Sequence, residues 1–323
     1  MSRFTRACAL LASLAMLLAP IIATAQQFPS QPVNIMIPLG TGSATDALMR
    51  LIAPRLSESW GQSVVLENKP GANGITGTSA VVRAAPNGYN LFAYAANHVV
   101  NASLYPQLPY DSFKDFKPIV RIAFVPLLLC VSASVPANSV RELVELAKSR
   151  PGKLNFGSAG SGSPTHLAFE TVKSKAGIDI THVPYKAVNQ AQTDLLSGTL
   201  DMMFIVPAVA IPHIKAGKLK ALGITAQQRL PQLPQVPTMD EAGIPGVTQS
   251  WIGIAGQAGI PDAVANKIAA DVMKVVAMPE IHDRILSLGM IPDPLPPKEF
   301  ADYVAREHVK WAAVVKESGA KVD

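Results

Sequence analysis

The sequence predicts an α/β protein built as two units. Short runs rich in Val, Ile and Phe alternate with amphipathic stretches of helical period. The chain has 323 residues, more than one ordinary domain needs. A strand, a loop of Gly, Ser and Thr, and a helix follow one another twice, once near residue 40 and once near residue 160.

The first unit opens with a strand at residues 33–38 and the first small-residue loop at 39–45. A helix follows at 46–60, with Leu48, Leu51, Ile52 and Leu56 at helical spacing and Gly61 placed to end it in a left-handed cap. Residues 63–67 form the next strand, 73–84 a helix, and Asn87-Gly88 a turn before the strand at 89–94. That strand–helix order predicts a largely parallel sheet flanked by helices.

A second unit starts near residue 120. Residues 119–132 are apolar and read as one strand that crosses between the units. A helix at 139–149 opens with Ser139 and Glu142 in capping-box spacing. A strand at 153–157 leads to the second loop, 158–163, and Pro164 fits the first position of a helix reaching 175. Strands follow at 180–183, 201–206 and 218–225, with a helix at 189–196 after the first of them. Three prolines between 231 and 237 mark a loop, and a strand at 246–255 returns to the first unit. Helices at 261–276, 280–288 and 297–318 complete the chain, and no repeat of fixed period is visible.

The N-terminus reads differently. Arg3 and Arg6 precede an apolar run at 7–19, and Ala23-Thr24-Ala25 has the small-x-small form of a secretory cleavage site. The run is short for a helix crossing roughly 30 Å of hydrocarbon. Residues 1–25 are therefore expected to be a signal peptide, cleaved after Ala25, on an exported protein. Cleavage removes those two arginines and no acid, so the formal charge of +5 becomes +3. Cys130 is then the sole cysteine, within an apolar run, and is expected to be a buried thiol. One thiol supports neither a disulfide framework nor a four-ligand zinc site. With 49% hydrophobic and 16% charged residues the chain is expected to fold, and the lack of like-charge blocks argues against nucleic acid as a partner.

Signatures of catalysis are missing. Phe156-Gly-Ser-Ala-Gly160 has Phe where a nucleophile elbow needs Gly. The Gly-Lys pairs at 152–153 and 217–218 are followed by Leu, so there is no phosphate-binding loop of the Walker type. The six histidines are scattered without ligand spacing. No cofactor and no metal is expected.

The two loops carry the functional reading. They are Ile37-Pro-Leu-Gly-Thr-Gly-Ser-Ala-Thr-Asp46 and Asn155-Phe-Gly-Ser-Ala-Gly-Ser-Gly-Ser-Pro-Thr-His166. Small residues allow close approach of backbone N–H groups, hydroxyls add donors, and a helix N-terminus adds a partial positive charge. Neither loop holds Lys or Arg, which favours a carboxylate held by neutral donors. The alternative is a pair of ordinary tight turns in which Ser43 and Ser163 only cap helices. Asp46 has two readings of equal weight: a brace within its loop, or a partner for an ammonium group on the ligand.

Further segments add a resemblance. They include Phe28-Pro-Ser-Gln-Pro-Val33, Gly61-Gln-Ser-Val-Val-Leu-Glu-Asn-Lys-Pro-Gly71, Ala85-Pro-Asn-Gly-Tyr89, His182-Val-Pro-Tyr-Lys186, Asp194-Leu-Leu-Ser-Gly198 and Glu241-Ala-Gly-Ile-Pro245. With the two loops, they make nearly all of the chain after residue 25 resemble the Bug/TctC family of periplasmic solute-binding proteins of tripartite tricarboxylate transporters. The resemblance implies a type II-like periplasmic binding protein fold. Its two domains would have mixed sheets with helices on both faces and a ligand cleft between them, domain 1 being 26–125 with 247–323 and domain 2 being 126–246. It implies capture of a small carboxylate by Gly42, Ser43, Thr45 and Asp46 from one side and by Ser158, Gly160, Ser161 and Thr165 from the other. Asn97 and His98 would read the rest of the ligand from the rim, with Val206 and Pro207 in a similar role; an exposed His98 without a ligand role is the alternative. The implied partners are membrane permease subunits, with the protein itself a monomer in the periplasm.

Two departures bear on the ligand. Ser43 stands where the family usually has a second Gly, and Ala187-Val188-Asn189 replaces a segment that usually begins with Gly. A ligand differing from the typical di- and tricarboxylates is therefore expected. The competing functions are an exported hydrolase-like enzyme, whose best groups would be Asp46, His98 and His166, and an orphan sensor that serves signalling rather than transport.

Overall fold

The computed structural model describes residues 28–185, 188–247 and 249–318. The expected signal peptide with its cleavage point, and Ala187, lie outside the described residues.

Strands β1 (Val33–Ile37), β2 (Val64–Asn68), β3 (Asn90–Ala95), β4 (Phe116–Val125), β10 (Ser250–Gln257) and β11 (Ile291–Leu295) form one sheet, in the order β11-β4-β10-β3-β1-β2. Strands β5 (Leu128–Ser132), β6 (Asn155–Ser158), β7 (Thr181–Pro184), β8 (Met202–Ile205) and β9 (Leu219–Ile224) form another, in the order β7-β6-β8-β5-β9. Both sheets are mixed. β1 runs parallel to β2 and β3, while β10 is antiparallel to β3 and β4. In the second sheet β6 is parallel to β7 and β8, and β5 is antiparallel to β8 and β9. The largely parallel sheet expected from strand–helix order holds for β1–β3 only, because the returning strand β10 enters antiparallel beside β3.

Each sheet is covered on both faces. Helices α1 (Ala44–Trp60), α8 (Asp262–Val276) and α9 (Pro279–Ser287) pack on one side of the first sheet, through Leu48, Ile52, Leu56, Ile268, Val272 and Ile285. Helices α2 (Ile75–Val82), α3 (Ala96–Leu104) and α10 (Pro297–Ser318) cover the other, where Tyr94, Trp251, Phe300 and Trp311 are buried. Helices α4 (Val140–Ser149) and α5 (Pro164–Ala176) cover one face of the second sheet, and α6 (Val188–Ser197) and α7 (Pro207–Lys215) the other. Such double coverage explains why strands such as Leu128–Ser132 are buried at every position. Cys130 lies in that strand, and burial pushes its thiol up to about 12, so it is unreactive.

The long apolar strand expected at 119–132 is two strands. It breaks at Pro126, whose missing N–H interrupts the ladder, and β4 and β5 belong to different sheets. The chain crosses back between β9 and β10. Both crossings are tied together. Leu127 N–H donates to Thr225 Oγ1 at 2.9 Å and Thr225 N–H donates to Leu127 O at 2.9 Å.

Helices α3 and α7 and strand β11 were not expected from the sequence. Helix α3 buries Asn97, His98 and Asn101, polar residues that mask its apolar face. Helix α7 has Pro212 in its interior. Strand β11 holds Pro292 and Pro294 and survives as an edge strand, the position in a sheet that tolerates proline. Among the described residues no helix is long and apolar enough to cross a membrane.

Candidate ligand-binding cleft

The two small-residue loops have one design, residue for residue. Each follows the C-terminal end of a strand, β1 or β6, and enters a helix, α1 or α5. Ser43 N–H donates to Gly40 O at 3.2 Å, and Ser163 N–H to Gly160 O at 3.1 Å. Gly42 and Gly162 both have positive φ, +82° and +75°, where a side chain would be strained. Ser43 Oγ accepts the N–H of Asp46, and Ser163 Oγ accepts that of His166. Both serines are thus helix caps, as the plainer reading of the sequence had it.

A side chain on the first helical turn then braces each loop. Gly42 N–H donates to Asp46 Oδ2 at 2.9 Å, and Gly162 N–H to His166 Nδ1 at 3.0 Å. Asp46 also accepts from Arg50 Nε at 3.0 Å and from Asn68 Nδ2 at 2.9 Å. Burial raises the Asp46 carboxyl, but hydrogen bonds from Arg50, Gly42 and Asn68 outweigh it and hold the group below the usual carboxylate range. In the second loop His166 lies 3.6 Å from Glu170, which Lys173 contacts at 2.9 Å, and its ring stacks on His182 at 4.0 Å. Glu170 behaves as Asp46 does: burial raises it, and the contacts from His166 and Lys173 win and lower it.

Between the sheets lies a cavity of about 540 Å³, within the range of small-molecule sites. Thr41, Gly42, Ser43 and Ala44 line it from one loop, Ala159 and Thr165 from the other. Leu127 contributes from the crossing between sheets, Met203 to Val206 from β8 and its end, and Leu288 and Met290 from beyond α9. Asn189 and Gln192 come from α6, and Ala208 and Val209 from α7. First-turn or capping residues of four helices, α1, α5, α6 and α7, therefore converge on one space. Each brings the partial positive charge of a helix N-terminus. Among the described residues, no lining residue is ionisable.

The expected site residues divide five ways. Gly42, Ser43, Thr165 and Val206 line the cavity. Thr45, Asp46 and Ser158 are buried behind the loops that carry them. Ser158 Oγ lies 2.6 Å from His182 Nε2 and accepts the N–H of Gly160 at 3.1 Å, and Gly160 and Ser161 form the loop crest outside the cavity lining. Pro207 faces a neighbouring groove with Ile211, Pro212 and Leu230. Asn97 and His98 depart most from expectation. Asn97 Nδ2 donates to Asn73 O at 2.7 Å, and the His98 ring is packed among Phe92, Tyr94, Tyr110 and Phe116. His98 is neither a rim contact nor exposed, because helix α3 turns it into the aromatic core.

Sequence reasoning missed Thr41, Leu127, Gln192, Met203, Leu288 and Met290. Asn189, in the segment whose departure from the family's usual text bears on the ligand, lines the cavity. Leu288 and Met290 are far in sequence from either loop and carry no local signal.

Chemically the arrangement offers hydroxyls, backbone N–H groups and helix termini from the loops, and aliphatic and thioether surface from the rest of the lining. It can hold an anion by neutral donors. Among the described residues no cluster of three His, Cys, Asp or Glu side chains is placed to hold a metal.

Comparison with known proteins agrees with this geometry. The family model for the tripartite tricarboxylate transporter family receptor (TctC) matches residues 48–320. The UPF0065 protein in the tcbD-tcbE intergenic region of Pseudomonas sp. (strain P51) is 36% identical over 292 residues, 90% of this chain and 87% of that protein. Among solved structures, R. palustris Rpa4515 with adipate superposes with a TM-score of 0.83 at 32% identity, covering 92% of this chain and 100% of that one. The periplasmic binding protein BugD gives 0.80 at 31% identity, with 92% and 100% covered.

Proposed function

The chain belongs to the TctC family of tripartite tricarboxylate transporter receptors, and on that premise we propose that it is an exported solute-binding protein that captures a small carboxylate in its interdomain cleft. Proteins of this family are periplasmic solute-binding proteins, and one solved relative holds adipate.

The observation that carries the proposal is the meeting of four helix N-termini at one uncharged cavity. Such a site favours an anion, and hydroxyl and N–H donors suit a carboxylate. Gly42, Ser43 and Thr165 contact the carboxylate. Thr45, Asp46, Ser158, Gly160 and Ser161 shape the loops that present those contacts. Residues 26–125 with 247–323, and 126–246, close on the ligand as two domains about the Leu127–Thr225 tie. A ligand that touches both domains stabilises the closed form by its differential affinity for it.

The bound solute passes to the permease subunits of a tripartite tricarboxylate-type transporter, and the receptor acts as a monomer without catalysis. Placement of the groups a hydrolase would need supports this. Asp46 and His166 each brace a different loop, and His98 is enclosed by aromatic rings.

Thermal unfolding of residues 26–323 against mono-, di- and tricarboxylates tests the reading. A true ligand at about 100 times its Kd adds roughly 2.7 kcal/mol, a shift of several degrees. The corresponding primary amides should give no shift. If ligand-free protein responds to no carboxylate, or equally to the amides, the proposal fails.

A further inference from the structure

We propose that the cleft is built for a carboxylate with a single charge and an apolar, uncharged body, rather than for a di- or tricarboxylate. This rests on the carboxylate-binding reading above and narrows it.

The cavity lining is of two chemical kinds. Thr41, Gly42, Ser43 and Thr165 come from the loops. Each loop there ends in a capped helix, and its glycine has a positive φ. Leu127, Met203, Ile205, Val206, Leu288 and Met290 make much of the remaining lining apolar. A ligand whose first carboxylate lies between the loops lays the rest of its body against these apolar side chains.

Helix α7 adds its partial positive charge but few free N–H groups to hold a second carboxylate. Its first residue, Pro207, has no N–H, and the N–H groups of Val209 and Ala210 are both directed to Val206 O at 3.1 Å. Its capping residue Val206 makes no side-chain hydrogen bond. The other polar side chains of the lining are the carboxamides of Asn189 and Gln192, three residues apart on α6. They suit a neutral polar substituent such as a hydroxyl or carbonyl, since a carboxamide both donates and accepts. A carboxylate against these side chains would lose hydration without gaining a cation among the described residues.

The test is a set of calorimetric titrations with matched pairs differing only in the second carboxylate: hexanoate with adipate, and benzoate with terephthalate. Citrate completes the panel, and 6-hydroxyhexanoate probes the carboxamides. The expected result is that the singly charged member of each binding pair is at least about tenfold tighter, the equivalent of 1.4 kcal/mol. Leu288→Arg, which places a cation among the apolar side chains, should narrow or invert that ratio. Asn189→Ala should weaken 6-hydroxyhexanoate more than hexanoate.

If adipate, terephthalate or citrate is the tightest ligand of the wild-type protein, this inference is overturned while the carboxylate reading stands. If no member of the panel binds ligand-free protein, both fall together. An unchanged ratio in a folded Leu288→Arg variant overturns the placement of the ligand's far end.

Discussion

The N–H of Gly162 donates to Nδ1 of His166 at 3.0 Å, across four residues that open helix α5. The other loop makes the same contact with a carboxylate, from Gly42 to Asp46 at 2.9 Å. One geometry is thus closed by an acid on one side of the cleft and an imidazole on the other. Their supports are reversed in sign as well, Arg50 behind Asp46 and Glu170 behind His166. Accepting from Gly162 requires an unprotonated Nδ1, so the ring proton sits on Nε2, toward Glu170.

His166→Asn should therefore preserve binding, because an amide oxygen can take the place of Nδ1. His166→Leu leaves the buried Gly162 N–H without an acceptor and should cost about 1–3 kcal/mol of stability. Urea denaturation with ligand titration of both variants checks this. Equal behaviour of the two would show that the acceptor is not what matters.

Asp46→Ala removes contacts to Gly42, Arg50 and Asn68 together. Stability should fall by about 2 kcal/mol and affinity should fall with it, while the ranking of ligands stays the same. A changed ranking at undiminished stability would instead make Asp46 a ligand contact.

Gly162 also marks where the two sheets' units meet. A Cβ there would lie 1.9 Å from Leu104 Cδ2, on helix α3 of the first unit. Gly162→Ala should hold the cleft open and weaken binding by about tenfold, equivalent to about 1.4 kcal/mol. Adding Leu104→Ala should recover part of that loss, as a double-mutant cycle would reveal. Additive effects would rule out the contact as a closure point.

His98 sets a pH dependence. Burial, opposed only by the bond to Ser112 O, lowers its imidazole from 6.5 to about 4. The unfolded chain therefore takes up this proton at higher pH than the folded protein does. Stability is complete above about pH 6.5 and declines toward pH 4, by on the order of 3 kcal/mol. Asp46 and Glu170, lowered in the fold, add a loss only below the ordinary carboxylate range. Denaturation midpoints from pH 7 to 4 should fall for the wild type and flatten for His98→Gln. A flat wild-type profile would contradict a buried neutral His98.

Most of the fold was legible because its elements carry local signals. Ser43 before Leu48, Ile52 and Leu56, with Gly61 after them, states where α1 begins and ends. The elements that escaped carry conflicting signals: Pro212 inside α7, Pro292 and Pro294 in β11, and the buried polar face of α3. The loops of the cleft were visible as composition, yet composition does not tell presenting residues from bracing ones. Ser158 and Thr45 look like ligand donors in sequence, and both are buried by tertiary contacts. The apolar lining of the cavity is assembled from β8, the crossing at Leu127 and the segment after α9, so no single stretch of sequence could display it.

The most direct test is a crystal structure with the tightest carboxylate from the binding panel. Capture by both loops requires a carboxylate with oxygens about 3 Å from donors of the Gly42–Ser43 loop and of the Thr165 loop at once. A ligand in the groove by Pro212 and Leu230, or a carboxylate held by one loop alone, would contradict it.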